Sequence, residues 1–565
     1  MEIKGTVADI IFKNDTNGYM ISTFETDDDN LITIVGYLPF CVSGDNLKLV
    51  GDYVEHKIYG MQFKVENFEK IMPETLKGLE KYLASGNVKG IGESTAKKIV
   101  KKFGENTINV FRHDPERLAE IKGISKSKAI EMAESFLENF DVWQIVGFLD
   151  KFGIGAEYAK KIYDLLGSTA IDKIESNPYI LIELTRGVDF KRIDKMALDL
   201  GIDNNNSERV KSGIKYGLIR ATYNGHSCVI KENLIEFVIN LLDVSTECIE
   251  ENLISLKAKD EIVVEKREND TWIYLDNFYH TEEEIASRLV IINTSKNMKK
   301  IKNIDAELKK IQKNSEIELS KKQKEAIKKV NDENICIITG GPGTGKTTII
   351  KTIIDLYENN GKKVVLAAPT GRAAKKMTEA TEKEASTLHR LLGIGKLDDD
   401  GIYFKKNEHK GEMIDADVVV VDEMSMVDMF LMKYLLDSIY QGTKLILVGD
   451  VDQLASVGPG SVLKDLINSD VIATVKLDKI FRQAARSKII LNAHRVNNGE
   501  SFLSNEDIEN EETDNDFYFI NEGNQEKILN EVISLSTGRL EKYGNYDFFK
   551  SIQVLTPTKK GSLRN

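Results

Sequence analysis

The chain has 565 residues, 41% hydrophobic and 30% charged, with a formal net charge of −13; at roughly 150 residues per domain this implies several folded cores and excludes wholesale disorder. Its four cysteines, Cys41, Cys228, Cys248 and Cys336, lie far apart with no paired metal spacing, which argues against a disulfide scaffold or zinc module and for a reducing compartment. The opening MEIKGTVADIIFKND lacks the pattern of a secretory leader and no apolar run nears the ~20 residues of a membrane helix, so a cytoplasmic protein without membrane association is expected.

Residues 1–75 read as β structure. The runs GTVADIIF, GYMISTFE, LITIVGYL and QFKVENFEK are separated by the turn-rich NDTNG and TDDDN. Several short strands with glycines at the bends predict an OB-like β-barrel, suited either to a single nucleic-acid strand or to docking another protein.

Residues 76–205 change to a helical pattern in which one turn recurs. Gly90-Ile91-Gly92, Gly123-Ile124-Ser125 and Gly153-Ile154-Gly155 each open a helix with a basic stripe. Glycines allow the tight turn, and amides at a helix start can hold a phosphate. The pattern resembles tandem helix-hairpin-helix elements that grip the DNA backbone, with Gly90, Gly92, Gly123, Gly153 and Gly155 as candidate contacts and Ser125 as a departure. Plain helical-hairpin turns are the alternative. Residues 206–292, helices followed by DEIVVEKREND and TWIYLDN, read as winged-helix-like, and residues 293–318 as a basic helical linker.

The overall acidic balance disfavours passive nucleic-acid binding, but the charge is segregated. Ten Lys/Arg face five acidic residues from Lys89 to Lys128, and twelve lysines face five acidic residues from Thr294 to Lys329. Seven acidic and no basic residues lie between Leu503 and Asp516. A discrete basic path on an acidic body fits this distribution, as do solvated helix faces.

Residues 319–475 carry the chemistry. Ile335-Cys336-Ile337-Ile338 reads as a buried strand, followed by Gly340-Gly341-Pro342-Gly343-Thr344-Gly345-Lys346-Thr347-Thr348 and a helical run. This is G-x-x-x-x-G-K-T in strand–loop–helix context, so ATP is the expected ligand, with Lys346 on the β/γ-phosphates and Thr347 on Mg²⁺. The valine run 418–421 ends in Asp422, a second magnesium ligand, and Glu423, which polarises the attacking water. Further strands at Lys363–Ala367 and Leu445–Val448 imply a parallel, doubly wound α/β lobe of RecA type. Gln453 follows the second of these and can sense the γ-phosphate. Arg482 suits an arginine finger, and Gln323 an adenine edge.

The order LSKKQKEAI, GGPGTGKTT, LAAPTGRAAKKM, STLHRLLG, VVVVDEMSMVD, GDVDQLASVGPG and IFRQA resembles the successive motifs of superfamily 1 DNA helicases, most closely the RecD-like type with a long N-terminal extension. The resemblance covers nearly the whole chain. It implies a bacterial 5′→3′ translocase that unwinds duplex DNA, with a role in repair or recombination. It places Thr370, Arg372 and His389 on single-stranded DNA and makes 396–411 (KLDDDGIYFKKNEHK and the glycine after it) the pin that splits the duplex, where turn chemistry alone allows a surface loop. It also implies that residues 476–565 form a partial second RecA-like lobe, ending before motifs V and VI. Two other readings stay open: an ATP-binding DNA-binding module without motor activity, and an RNA-directed ATPase of the same superfamily.

Overall fold

The computed structural model describes residues 1–14, 19–26, 28, 30–38, 41, 43–56, 60–70, 76–84, 88–185, 188–296, 300–394, 413–478, 486–504, 516–544 and 546–556. They form two compact units, residues 1–221 with 228–276, and residues 222–227 with 277–565.

In the first unit, the strands β1 (Glu2–Lys13), β2 (Tyr19–Thr26), β3 (Leu31–Tyr37), β4 (Asn46–His56) and β5 (Gly60–Lys70) close into a barrel in the order β1-β2-β3-β5-β4. Alternation drives the closure: Met20, Ser22 and Phe24 of β2 point inward beside Ile34, Leu47, Leu49 and Phe63. Tight closure needs backbone contact, and it falls on glycines. A Cβ at Gly5 would lie 2.1 Å from the Glu25 carbonyl oxygen, and one at Gly51 2.0 Å from that of Lys64.

The repeated turns follow. Gly90, Gly123 and Gly153 have φ of 82°, 103° and 66°, and Ile91, Ile124 and Ile154 are buried. The glycine thus reverses the chain while the isoleucine anchors the turn in the helical core. Beyond them, Arg209 makes a two-pronged ion pair with Asp194, 2.8 Å at each oxygen, and Tyr179 donates to the same carboxylate at 2.6 Å. This buried pair joins the helix Phe190–Asp199 to the helix Ser207–Tyr223. The unit ends in helices Lys231–Leu242 and Thr246–Ala258 and an antiparallel sheet β6-β8-β7, where β6 is Cys228–Ile230, β7 Ile262–Arg267 and β8 Asp270–Leu275.

The second unit is built on a six-stranded parallel sheet. Its strands are β9 (Ile335–Gly340), β10 (Val364–Ala368), β11 (Ala385–Thr387), β12 (Val418–Val421), β13 (Lys444–Gly449) and β14 (Ala473–Leu477), in the order β11-β10-β12-β13-β9-β14. β9, β12 and β13 are buried throughout, as strands covered on both faces must be. β14 pairs with β9 as far as Leu477 opposite Gly340, so this sheet runs past residue 475. Buried Lys444 donates to the carbonyls of Val330, Asn331 and Glu333, fastening the helix Lys321–Asp332 to the sheet; burial lowers its pKa to about 8. After Leu477 the described residues form helices, including Lys488–Asn497 and Gln525–Ser534, with no further strand element among them. The 396–411 hairpin, Arg482 and residues 557–561 of the TPTKKG stretch lie outside the described residues. No helix of the described residues is long and apolar enough to cross a membrane.

Candidate nucleotide site and nucleic-acid edge

A parallel sheet delivers every strand's C-terminal end to the same rim, so the order of strands decides which motifs become neighbours. β9 enters the phosphate loop, where Gly343 and Gly345 have φ of 75° and 82°. These left-handed residues wrap the loop amides towards the start of the helix Lys346–Glu358, which adds its own N-terminal partial charge. Lys346 Nζ donates to the carbonyls of Gly340 and Gly341, the latter at 3.1 Å, and Thr344 Oγ1 donates to the Gly341 carbonyl at 2.8 Å. Pro342, Gly343 and Thr347 are exposed, so the cradle is open to a ligand. Thr348 lies in the first helical turn, its carbonyl accepting from Thr352 at 2.8 Å.

Two strands away, β12 leads into Asp422, whose Oδ1 accepts from the Glu423 amide at 2.9 Å. Burial pushes the Asp422 carboxyl above the usual carboxylate range, opposed by that amide and by the charge of Lys346. A half-buried carboxylate of this kind fits a divalent cation, which would offset its desolvation and compete with its proton. Among the described residues no group of three or more His, Cys, Asp or Glu is placed to hold a metal. Glu423 sits at φ 55°, a conformation costing a non-glycine residue roughly 1–2 kcal/mol, and it stops the strand at a 3₁₀ turn, Met424–Met426.

β13 lies between these strands and leads to buried Asp450; the amide of exposed Gln453 donates to the Asp450 carbonyl at 3.2 Å. Gln323 is buried, and its Oε1 accepts from the Ser320 amide at 2.9 Å while Ser320 Oγ caps the Gln323 amide, a complete capping box. Its acceptor end is therefore engaged locally, and Nε2 is the end left for the adenine contact expected from the sequence. Gln323→Glu keeps the cap and removes that donor. Its KM for ATP is expected to rise about tenfold with little change in thermal midpoint, in steady-state ATPase and melting assays; equal loss in both would mean the residue acts through the helix alone.

The DNA candidates occupy the neighbouring edge. Thr370 follows β10 and caps the helix Gly371–Thr381 by accepting from Ala373 at 3.2 Å. Arg372 is exposed, and its Nη1 donates to Gln553 Oε1 at 2.6 Å. His389 is exposed in the short helix Leu388–Leu391 after β11. The repeated turns of the first unit differ from one another. Open space surrounds the Cβ direction of Gly92, which caps its helix with no side chain in the way. Ser125 spends its Oγ on the Lys128 amide at 3.2 Å. At the third turn the Glu157 carboxylate stands where a Cβ of Gly155 would be, and the Gly153 carbonyl accepts from Arg192 at 2.6 Å. A carboxylate there repels phosphate, which leaves the first turn as the strongest of the three.

One residue at the loop carries no sequence signal. His494, on the helix Lys488–Asn497, lies against Gly341: a Cβ there would be 2.7 Å from its Cε1 and 3.3 Å from its Nε2. Its Nε2 is buried and has no hydrogen-bond partner among the described residues.

Family comparisons follow the same divisions. Residues 1–73 match the OB-fold domain of the ATP-dependent DNA helicase YrrC, 81–136 a SAM-like helix-hairpin-helix tandem, 138–228 the helix-hairpin-helix domain of the ATP-dependent RecD2 DNA helicase, and 318–515 an AAA domain. The ATP-dependent RecD2 DNA helicase of Deinococcus radiodurans is 30% identical over 516 residues, covering 88% of this chain and 70% of that protein. The chain belongs to the RecD2 helicase family. In this RecD2-family chain the two helix-hairpin-helix matches lie between residues 81 and 228. The RecBCD enzyme subunit RecD of Mycobacterium tuberculosis is 33% identical over 223 residues, 35% of this chain and 36% of that subunit. Thus the chain spans about a third of the RecD subunit it matches but over two thirds of the RecD2 relative. The Pif1 helicase of Candida albicans aligns at 27% identity over 30% of this chain and 41% of that one, with a TM-score of 0.22, too low to bear on the fold.

Proposed function

We propose that this RecD2-family protein is an ATP-driven translocase that moves 5′→3′ on single-stranded DNA and unwinds the duplex ahead of it, in the bacterial cytoplasm. The observation that carries the reading is the shared rim of the parallel sheet. The ends of β9, β12 and β13 bear the phosphate loop, Asp422–Glu423 and the Gln453 loop, while β10 and β11 next to them bear Thr370, Arg372 and His389. A change in the phosphate loop has only two strands to cross to reach the DNA candidates.

Each residue then has a task. The loop amides and Lys346 bind the phosphates, and Thr347 and Asp422 would hold Mg²⁺, which supplies charge neutralisation on the β- and γ-oxygens. Glu423 orients and polarises the attacking water, while Gln453 contacts the γ-phosphate. Arg482 stabilises the charge that develops on the transferred group. Thr370 has a hydroxyl proton to give to a DNA phosphate, and Arg372 exchanges Gln553 for one. The first helix-hairpin-helix turn, with Gly90 and Gly92, adds a contact to the backbone that is indifferent to sequence. The helix-hairpin-helix matches favour DNA over RNA as the substrate, and a function in repair or recombination agrees with the family.

Strand displacement tests the proposal. A duplex with a 5′ single-stranded tail should be opened with magnesium and ATP, and the same duplex with only a 3′ tail should not. Unwinding of the 3′-tailed substrate alone would reverse the polarity, and DNA binding with no ATP turnover would leave a non-motor module.

A further inference from the structure

We propose that His494 is a contact for the terminal phosphate of the bound nucleoside triphosphate, through which the segment after β14 distinguishes ATP from ADP. This deepens the assignment of the phosphate loop to ATP and rests on it.

The position is the first argument. In a phosphate loop the lysine amine reaches the β- and γ-phosphates, whereas the first residues of the helix lie towards the other end of the phosphate chain. Here that amine rests on the carbonyls of Gly340 and Gly341. Gly341 therefore marks the γ-phosphate end, and the His494 ring lies directly against it. The approach depends on Gly341 lacking a side chain, because an alanine Cβ would be 2.7 Å from the ring.

The second argument is the orphaned nitrogen. His494 Nε2 is shut off from solvent with no partner among the described residues. Buried polar atoms left unpaired are rare in folded proteins because each carries a substantial desolvation penalty. A phosphate oxygen arriving in the loop supplies the missing acceptor, with the ring carrying its proton on Nε2.

The third argument is that the ring stands on a fixed support. Ser487 caps its helix through the Ile490 amide at 3.3 Å. Buried Asn492 bonds both to the Leu503 carbonyl, at 3.0 Å, and to the Leu503 amide, at 2.7 Å. Lys488 Nζ donates to the Ser504 carbonyl at 3.3 Å, and Arg495 Nε to that of Ser501 at 2.8 Å. A side chain presented by a helix tied at both ends registers the presence of a phosphate as a shift of that helix rather than as its own rotation. When hydrolysis removes the γ-phosphate, Nε2 loses its acceptor and the helix loses that hold on the loop.

The test compares the wild-type protein with His494→Ala, His494→Phe and His494→Gln by calorimetric titration with the magnesium complexes of a non-hydrolysable imido analogue of ATP and of ADP. Phenylalanine fills the same space without a donor, and glutamine places an N–H four bonds from Cα, as histidine does. The alanine and phenylalanine variants should lose about tenfold or more in affinity for the triphosphate analogue while ADP affinity stays within about twofold, and glutamine should restore part of the loss. Phenylalanine indistinguishable from wild type, or equal loss for both nucleotides, would overturn the inference and leave His494 a packing residue. Thermal melting without nucleotide separates these outcomes from a folding defect, which the two volume-preserving variants are chosen to avoid. Wild-type protein that binds neither nucleotide would instead overturn the ATP assignment itself.

Discussion

Lys346→Ala is expected to abolish DNA-stimulated ATP hydrolysis and unwinding while leaving the fold and most DNA binding in place. The amine is the one cation of the phosphate loop itself, and in the free protein it is held by the Gly340 and Gly341 carbonyls. Its energetic role in the unliganded state is small, because the loop is partly open to water and Thr344 also serves the Gly341 carbonyl. With nucleotide present it lies where charge accumulates on the β/γ bridge, and loss of one such group costs roughly 10²–10³-fold in rate. Asp422 also loses a cation that favours its charged form, so magnesium binding weakens with it. Turnover with single-stranded DNA, nucleotide titration and a melting curve check this together. A variant that unwinds at wild-type rates would remove the loop from the mechanism.

What could be read in advance was local. The phosphate loop and the Val418–Val421 strand with its acidic end are contiguous patterns whose residues meet because they are neighbours in the chain, and the parallel sheet follows from strands alternating with helices. The barrel was legible for the same reason, since inward and outward residues alternate along β2. Gln323 was legible only as an adenine candidate; its place in a capping box with Ser320 comes from the structure. β6 escaped because three residues are too few to show a period. Glu157 beside Gly155 escaped because the repeated turns look alike until a neighbouring carboxylate is placed. His494 belongs to a different class: it meets Gly341 across 153 positions of sequence, through the pairing of β14 with β9 and the tethering of the following helix. No pattern within the helix announces that encounter. Chemistry made by adjacent residues is visible in a single sequence, whereas chemistry made by tertiary approach is not.

Glu423→Gln should separate nucleotide binding from hydrolysis, where Lys346→Ala weakens the first and abolishes the second. The substitution preserves shape and leaves the Glu423 amide donating to Asp422, so the carboxylate proposed for magnesium keeps its support. What disappears is the capacity to polarise and accept a proton from water, a contribution of roughly 10²–10⁴ in kcat. Affinity for magnesium-ATP should therefore be unchanged or tighter, and the protein should accumulate in its triphosphate-bound state on single-stranded DNA. Asp422→Asn provides the contrast: it should weaken magnesium-nucleotide binding as well as turnover, because it removes the carboxylate proposed as a metal ligand. The backbone adds a third comparison. Glu423 stands at φ 55°, so Glu423→Gly should match or exceed wild-type thermal stability even as hydrolysis is lost, the strain of roughly 1–2 kcal/mol being relieved. Pre-steady-state ATPase measurements and melting curves on the three variants read each effect separately. Retention of normal kcat in Glu423→Gln would mean that another group activates the water, and the β12 terminus would then serve the metal alone.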